Sequence, residues 1–294
     1  LFINAAGHRC TLKDTFDCKS PLMVSELISS ENFEAALGIH LYKAGRLLQG
    51  SRIPFGIIFG GTDINEDAKS DEKLQVMGLV LDEARFAVSF TEAMKETAVA
   101  YWVRNALLSS NLIRTGLFGD ACFKTGISQD SDSLCVFLLI CGLRRVKDPL
   151  YVVDAFAGHH RVGPSVHLCL LARADGVHLL REIPQKDLHA VVKKSFAVVN
   201  SSISEGMSAA ILEAMDLSIP VLARNIPGNA AIIAHQETGL LYSTPQEFVR
   251  LSRTLTEDPF LHRRLVMRAK EYVTKHHLWD HERTTYQNLM LKLH

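Results

Sequence analysis

Short apolar runs alternate with stretches of helical period along most of the chain. In the first third the apolar runs are Cys10–Leu12, Ala35–His40, Pro54–Phe59 and Phe86–Phe90, and helical spacing lies between them over Leu41–Leu48 and Asp71–Ala84. Runs that are apolar on both faces predict strands covered on both sides, and helices between them supply the crossovers of a parallel sheet. From 92 to 132 the pattern weakens. The stretch 109–133 is rich in Ser, Gly and Asp without sustained period, which reads as loop or linker with a domain boundary near Ser131–Ser133. A second series follows: strand Leu134–Cys141, helix Pro149–Ala157, strands Val166–Leu171 and Val177–Leu180, helix Gln185–Lys194, strand Phe196–Asn200, helix Ser208–Leu217 and strand Val221–Ala223. In the tail Phe248, Leu251 and Leu255 share one helical face and Leu261, Leu265 and Ala269 another. A last helix, Trp279 to Leu293, carries a stripe of Tyr286, Leu289 and Leu293 and is long enough to reach back to the first domain. The expectation is an α/β chain of two Rossmann-like parallel-sheet domains, 1–132 and 133–275, with the helix 276–294 packing back toward the first and ligands in a cleft at the carboxyl ends of the strands.

A length of 294 residues suits two such domains, and 47 % hydrophobic with 22 % charged residues excludes a disordered or fibrous chain. Lys plus Arg and Asp plus Glu are both 32, so no net field draws nucleic acid or an anionic membrane. Lys193-Lys194 and Arg263-Arg264 read as solvated helix faces. The longest apolar run, 134–143, is half the roughly 20 residues that a membrane span takes, so it is expected as a buried strand. The six cysteines form no Cys-x-x-Cys pair, which argues against zinc and for a reducing compartment. The cytoplasm is therefore favoured, and secretion stays open if a segment upstream of Leu1 carries a signal; LFINAAGHRC itself has none of a signal peptide's features. The pairs His159-His160 and His276-His277 read as surface residues.

The candidate chemistry lies in NSSISEGMSAAILEAMDLSIPVLARNIPG, residues 200–228. Gly206 permits a tight turn after the strand, and a helix that starts near Ser208 offers free N–H groups to an anion, with Ala209 and Ala210 leaving room. Glu213 follows Glu205 by eight positions, roughly 12 Å along an ideal helix. Two carboxylates so spaced suit a diol at each end of one extended ligand with phosphate between them. The structural alternative is that Glu205 is a helix N-terminal charge and Glu213 is satisfied by a buried partner.

Ser204-Glu205-Gly206 running into Glu213-Ala214-Met215 and Ile219-Pro220-Val221, then Gly228, then Glu237-Thr238-Gly239-Leu240-Leu241, together resemble the C-terminal motifs of the retaining glycosyltransferases of family 4, which have the GT-B fold. Cys141-Gly142-Leu143-Arg144-Arg145-Val146-Lys147-Asp148-Pro149 resembles that family's strand–Gly–Arg…Lys loop, and the match runs in order from 134 to about 290. The resemblance implies that 133–275 binds a nucleotide-sugar and 1–132 the acceptor. It implies that Glu213 holds the ribose and Glu205 the donor hexose. The N–H groups of Met207, Ser208 and Ala209 would meet the diphosphate beside Gly206, and Lys147, with Arg144 or Arg145 near Gly142, would neutralise it as it leaves. No metal or other cofactor is implied; the nucleotide-sugar is a co-substrate. More weakly, Gly60-Gly61-Thr62-Asp63 and Thr91-Glu92 resemble motifs of the family's first domain, which makes Gly61, Asp63, Thr91 and Glu92 acceptor-side candidates; the alternative for Asp63 and Thr91 is helix capping.

The chain departs from the pattern in four places. The first strand and its Gly-rich loop have no counterpart after Leu1, 101–133 does not resemble the usual last strand and linker, the connection within HLCLLARADGVHLL is short, and Ala230 or Ala231 stands where a Glu follows NIPG. An incomplete first domain is the expectation, and it keeps a non-catalytic nucleotide-sugar-binding or scaffold protein as the alternative. A nicotinamide-dependent oxidoreductase ranks below both, since no G-x-G-x-x-G follows a strand.

Overall fold

The computed structural model describes residues 9–102, 108–110, 135–141, 144–160, 166–169, 177–178, 185–277 and 279–293. The chain divides into two compact units, Leu1–Ile113 with Leu278–His294, and Arg114–His277.

In the first unit, strands β1 (Ala36–Ile39), β2 (Phe55–Ile58), β3 (Phe86–Ser89) and β4 (Leu108–Ser110) form one parallel sheet in the order of the sequence. Ile57 stands opposite Gly38 on one side and Ala87 on the other. Helix α1 (Pro21–Glu31) starts at a Ser20 cap with proline in its first turn; α2 (Gly61–Asn65), α3 (Asp71–Glu83) and α4 (Glu92–Tyr101) follow. One face of the sheet buries Leu41, Ile57, Phe59, Met77 and Val80 in a single core. Gly56 has no side chain because the Phe86 ring lies where a Cβ would stand.

Three sequence expectations change here. Cys10–Leu12 is not a strand: among the described residues it belongs to neither sheet, and Leu12 and Phe16 stand exposed. The span 41–48 is not one regular helix, because Asp63 takes the N–H groups of Leu41 and Tyr42 and the chain makes a wide turn closed by Gly45 N–H to His40 C=O before a short α-turn over Arg46–Leu48. The weak pattern after 92 hides α4, and 101–133 does contain a strand, β4, which pairs with β3.

In the second unit, β5 (Cys135–Leu139), β6 (Val166–Cys169), β7 (Val177–His178), β8 (Ala197–Asn200), β9 (Val221–Arg224) and β10 (Leu240–Tyr242) form a parallel sheet of order β10-β9-β8-β5-β6-β7. Its helices are α5 (Val153–His160), α6 (Gln185–Lys194), α7 (Ala209–Asp216), α8 (Pro227–Ala230), α9 (Pro245–Glu257) and α10 (Pro259–His276). The expected stripes are the buried ones: Phe248, Leu251 and Leu255 on α9 pack with Phe137 and Phe156 on one face of the sheet, and Ala269 of α10 packs with Ile211 and Met215 on the other. The last helix, α11 (Trp279–Leu291), belongs to the first unit, where Tyr286, Leu289 and Met290 cover Ile58, Phe86 and Val88. No helix among the described residues is long and apolar enough to cross a membrane.

Of the histidine pairs, the side chains of His159 and His160 lie outside the described residues. His276 is exposed, but His277 is fully buried, because it ends α10 on the side facing Tyr272.

Candidate active site

β5 and β8 are neighbours in the second sheet, yet the chain leaves β5 toward β6 on one side and leaves β8 toward β9 on the other. That is a topological switch point, where the loops after the two strands part and open a crevice at their carboxyl ends. The loop after β5 carries Arg144, Arg145 and Lys147; the loop after β8 carries Ser201 to Ser208.

Arg145–Lys147 form one 3-10 turn that ends at Asp148 with φ 41°, a left-handed value that Asp tolerates better than most residues. Two bonds fasten this turn to the other loop: Ile203 N–H to Val146 C=O at 2.9 Å and Ser201 Oγ to Lys147 C=O at 2.9 Å. Lys147 Nζ then meets Glu205 Oε1 at 2.5 Å, with side-chain exposures of 18 % and 10 %. The same oxygen accepts from Ser202 Oγ at 2.7 Å and Asn200 Nδ2 at 3.2 Å. Among the described residues all three bonds go to Oε1 and none to Oε2. Arg144 and Arg145 stand exposed beside the pair, and Gly142 lies outside the described residues.

A buried amide network holds this loop. Asn200 Oδ1 accepts from Ser202 N–H and from Asn229 Nδ2 at 3.0 Å; Asn229 Nδ2 also donates to Arg224 C=O, and Tyr242 Oη donates to Asn200 C=O. Burial pushes the Tyr242 phenol far above its ordinary range, so it stays a donor. Arg224 lies 3.7 Å over the Tyr151 ring and bonds Asp148 at 2.9 Å, which ties β9 to the lysine turn. Gly228 is required by close approach: a Cβ there would collide with the Glu205 backbone carbonyl.

Glu205 is followed by a buried Gly206, a half-buried Met207, Ser208 as N-cap of α7 and an exposed Ala209. The Ser208 hydroxyl does not cap the first turn, which leaves the N–H groups at the helix start open to an anion. Glu213 sits one turn into α7, with Oε2 at 3.5 Å from Nε2 of the buried His189. The helical spacing from Glu205 to Glu213 does not apply, because Glu205 stands in the loop ahead of Ala209 and only Glu213 is on the helix. Lys147 and Glu205, to which the resemblance gives separate contacts along a ligand, also bond each other. Burial raises the Cys141 thiol, opposed by the charges of Lys147 and Arg144, so the end of β5 also faces these cations.

In the first unit, Gly61 opens α2 and Asp63 is fully buried, so Asp63 presents no free carboxylate. Its oxygens accept from the N–H groups of Leu41, Tyr42 and Gly60 at 2.7 to 2.9 Å and lie 2.6 Å from His40 Nδ1. Thr91 caps α4 through Met94 N–H, and Glu92 is exposed and paired with Lys95. Asp63 and Thr91 thus hold structure. His40, Asp63 and Asp67 are the group of possible metal ligands among the described residues, but Asp63 is occupied by N–H donors and Asp67 by Lys73 at 2.6 Å. The chain's Asp-x-Asp, Asp130-Ser131-Asp132, lies outside the described residues.

Sequence reasoning missed Asn200, Ser202, Arg224, Asn229 and His40. A polar residue closing an apolar strand marks Asn200 and His40 alike. Nothing in the sequence pairs Asn229 or Arg224 with them.

Comparison with known proteins follows the same lines. The model of the family "Glycosyl transferases group 1" matches residues 136–272. Glycosyltransferase 1 domain-containing protein 1 of Xenopus tropicalis is 53 % identical over 99 % of this chain and 91 % of its own length. Trehalose synthase of Pyrococcus horikoshii is 25 % identical over 54 % of this chain and 37 % of its own. Among solved structures, sucrose-phosphate synthase from Thermosynechococcus elongatus superposes with a TM-score of 0.76 over 93 % of this chain and 77 % of its own, at 16 % identity. Anabaena HepE in complex with UDP-glucose superposes with a TM-score of 0.74 over 91 % and 81 %, also at 16 % identity. These likenesses identify the fold as GT-B.

Proposed function

The chain belongs to the glycosyl transferases group 1 family, and from that premise we propose that it transfers a sugar from a nucleoside-diphosphate-sugar to an acceptor hydroxyl with retention of configuration. The observation that carries this reading is the Lys147–Glu205 pair set beside the uncapped start of α7 at the switch point. A lysine has three donors and Glu205 takes one, so two remain for a pyrophosphate that also meets the N–H groups of Met207, Ser208 and Ala209. A hexose hydroxyl falls to Oε2 of Glu205, and the ribose diol to Glu213. Arg144 and Arg145 add positive charge from the surface.

In the transfer, the bond from the anomeric carbon to the phosphate oxygen breaks and its electron pair leaves with the diphosphate. The acceptor oxygen bonds to that carbon on the same face, and its proton passes to the departing phosphate. Charge builds on the diphosphate as the bond breaks, and Lys147 stabilises that change more than it stabilises the bound donor. Anabaena HepE forms complexes with UDP and with UDP-glucose, so a uridine donor is the first to try. The site acts without a metal, and the cytoplasm is its compartment, a reading that suits the unbridged thiols of Cys18, Cys135 and Cys141.

Calorimetry with UDP and with UDP-, GDP- and ADP-sugars tests this. One nucleotide should bind, and Lys147→Ala should weaken it about tenfold or more, as loss of a charged hydrogen bond does. Glu213→Ala should weaken the nucleoside diphosphate similarly. NMR of the product's anomeric proton reads the stereochemistry, and EDTA should leave the rate unchanged. Should no nucleotide bind, or Glu213→Ala bind as tightly as the parent, the reading is wrong.

A further inference from the structure

We propose that His189 is a positioning residue for the carboxylate of Glu213, and that it sets how strongly the site prefers a ribonucleotide to its 2′-deoxy counterpart; the proposal rests on the transferase reading. The crossovers from β7 to β8 and from β8 to β9 run in the same direction along the sheet, so α6 and α7 cover the same face. Val191 and Val192 of α6 pack there with Ile211, Leu212 and Met215 of α7. Helices of such crossovers run against the strands, so both begin at the carboxyl edge where the crevice opens. His189 lies in the first half of α6 and Glu213 one turn into α7, which brings the two side chains together beneath that edge.

Nε2 of His189 lies 3.5 Å from Glu213 Oε2, and the two side chains are 9 % and 15 % exposed. Nε2 itself is fully buried and, among the described residues, makes no formed hydrogen bond. A lone pair facing a carboxylate at that distance is repelled and an N–H is attracted, so Nε2 carries the hydrogen. A buried N–H without a formed bond is costly. An aliphatic side chain would fill the same space without that cost, as Leu188, Val191 and Val192 do on the same helix. Packing therefore does not account for a histidine here, whereas the orientation of Glu213 does.

The terminal torsion of a glutamate is soft, and a vicinal diol is gripped only when the carboxylate plane faces both hydroxyls. A buried N–H at one edge of the carboxylate fixes that plane. Each carboxylate oxygen accepts more than one hydrogen bond, so Oε2 can face His189 and a ligand hydroxyl at once. The 3.5 Å contact is long for a hydrogen bond and is expected to close when the ribose arrives, as contacts in empty sites commonly do.

Calorimetry of the full chain with UDP, GDP and ADP, each against its 2′-deoxy counterpart, tests this. The nucleotide that binds should be preferred over its 2′-deoxy form by about tenfold, the effect of one hydrogen bond to a charged group, and Glu213→Ala should abolish that preference. His189→Leu should reduce the preference to about threefold or less, while the 2′-deoxy form binds as it does to the parent and the thermal midpoint stays level or rises. Glutamine carries an N–H to nearly the place of Nε2, so His189→Gln should keep the preference within about twofold of the parent's. The proposal is overturned if the parent shows no preference or Glu213→Ala keeps one. It is overturned equally if His189→Leu keeps the full preference, if His189→Leu weakens both forms alike with a lowered midpoint, or if His189→Gln behaves as His189→Leu. A parent that binds no nucleotide sinks the transferase reading and this proposal with it. A preference lost in Glu213→Ala but kept in His189→Leu leaves that reading standing and removes His189 alone.

Discussion

At the scale of single residues, the second unit places an ion pair on top of an amide network. Lys147 and Glu205 can be reached by a ligand, whereas Asn229, with 0 % exposure, can only hold the loop in place. The two layers should respond differently to substitution. Glu205→Gln keeps the shape but removes the charge that orients Lys147, and the expected result is a transfer rate down about a hundredfold with the thermal midpoint nearly unchanged. Asn229→Leu strips Asn200 Oδ1 of a buried donor and should cost about 1–3 kcal/mol in urea unfolding. Gly228→Ala sets a Cβ against the Glu205 backbone carbonyl. Backbone cannot rotate away as a side chain can, so Glu205 must shift. A displacement near 1 Å is expected to cost up to about a hundredfold in rate, read against UDP affinity in the same variant.

At the scale of elements, helices sit where their apolar stripes find a sheet face. α11 shows this most clearly, because its buried residues cover β2 and β3 of a sheet laid down some two hundred residues earlier in the chain. Leu289→Ala should destabilise the first unit by about 2–5 kcal/mol, as large-to-small core changes do, measured by denaturant unfolding. α10 carries a pH-dependent contact, the His262 ring packed on Phe196 at 5.1 Å between centroids. Burial lowers the His262 pKa below its ordinary 6.5, opposed by a backbone bond with Phe196. A lowered imidazole means that the unfolded chain takes up the proton first as pH falls. Its contribution to stability is therefore whole above about pH 6.5 and declines below that value. Urea midpoints at pH 7.5 and 5.5 should show the parent losing more than His262→Leu loses.

At the scale of the whole molecule, two sheets with separate cores predict two cooperative units. Leu289→Ala should lower only the transition of the first unit, and UDP should raise only that of the second. At a concentration of 100 times its Kd, UDP should add about 2.7 kcal/mol to that transition; a shift of both transitions together would show that the units melt as one. By itself the sequence determined the alternation of strands and helices, the two parallel sheets and the buried stripes of α9 and α10, and it singled out Lys147, Glu205 and Glu213 as candidates, because those signals are local: period, run length and a motif read in order. It could not determine that Lys147 and Glu205 meet, that Asn229 holds Asn200, or that Asp63 serves a histidine 23 positions earlier rather than a ligand. Those contacts join loops that follow different strands of one parallel sheet. Only strand order brings such loops together, and strand order is set by the packing of whole elements.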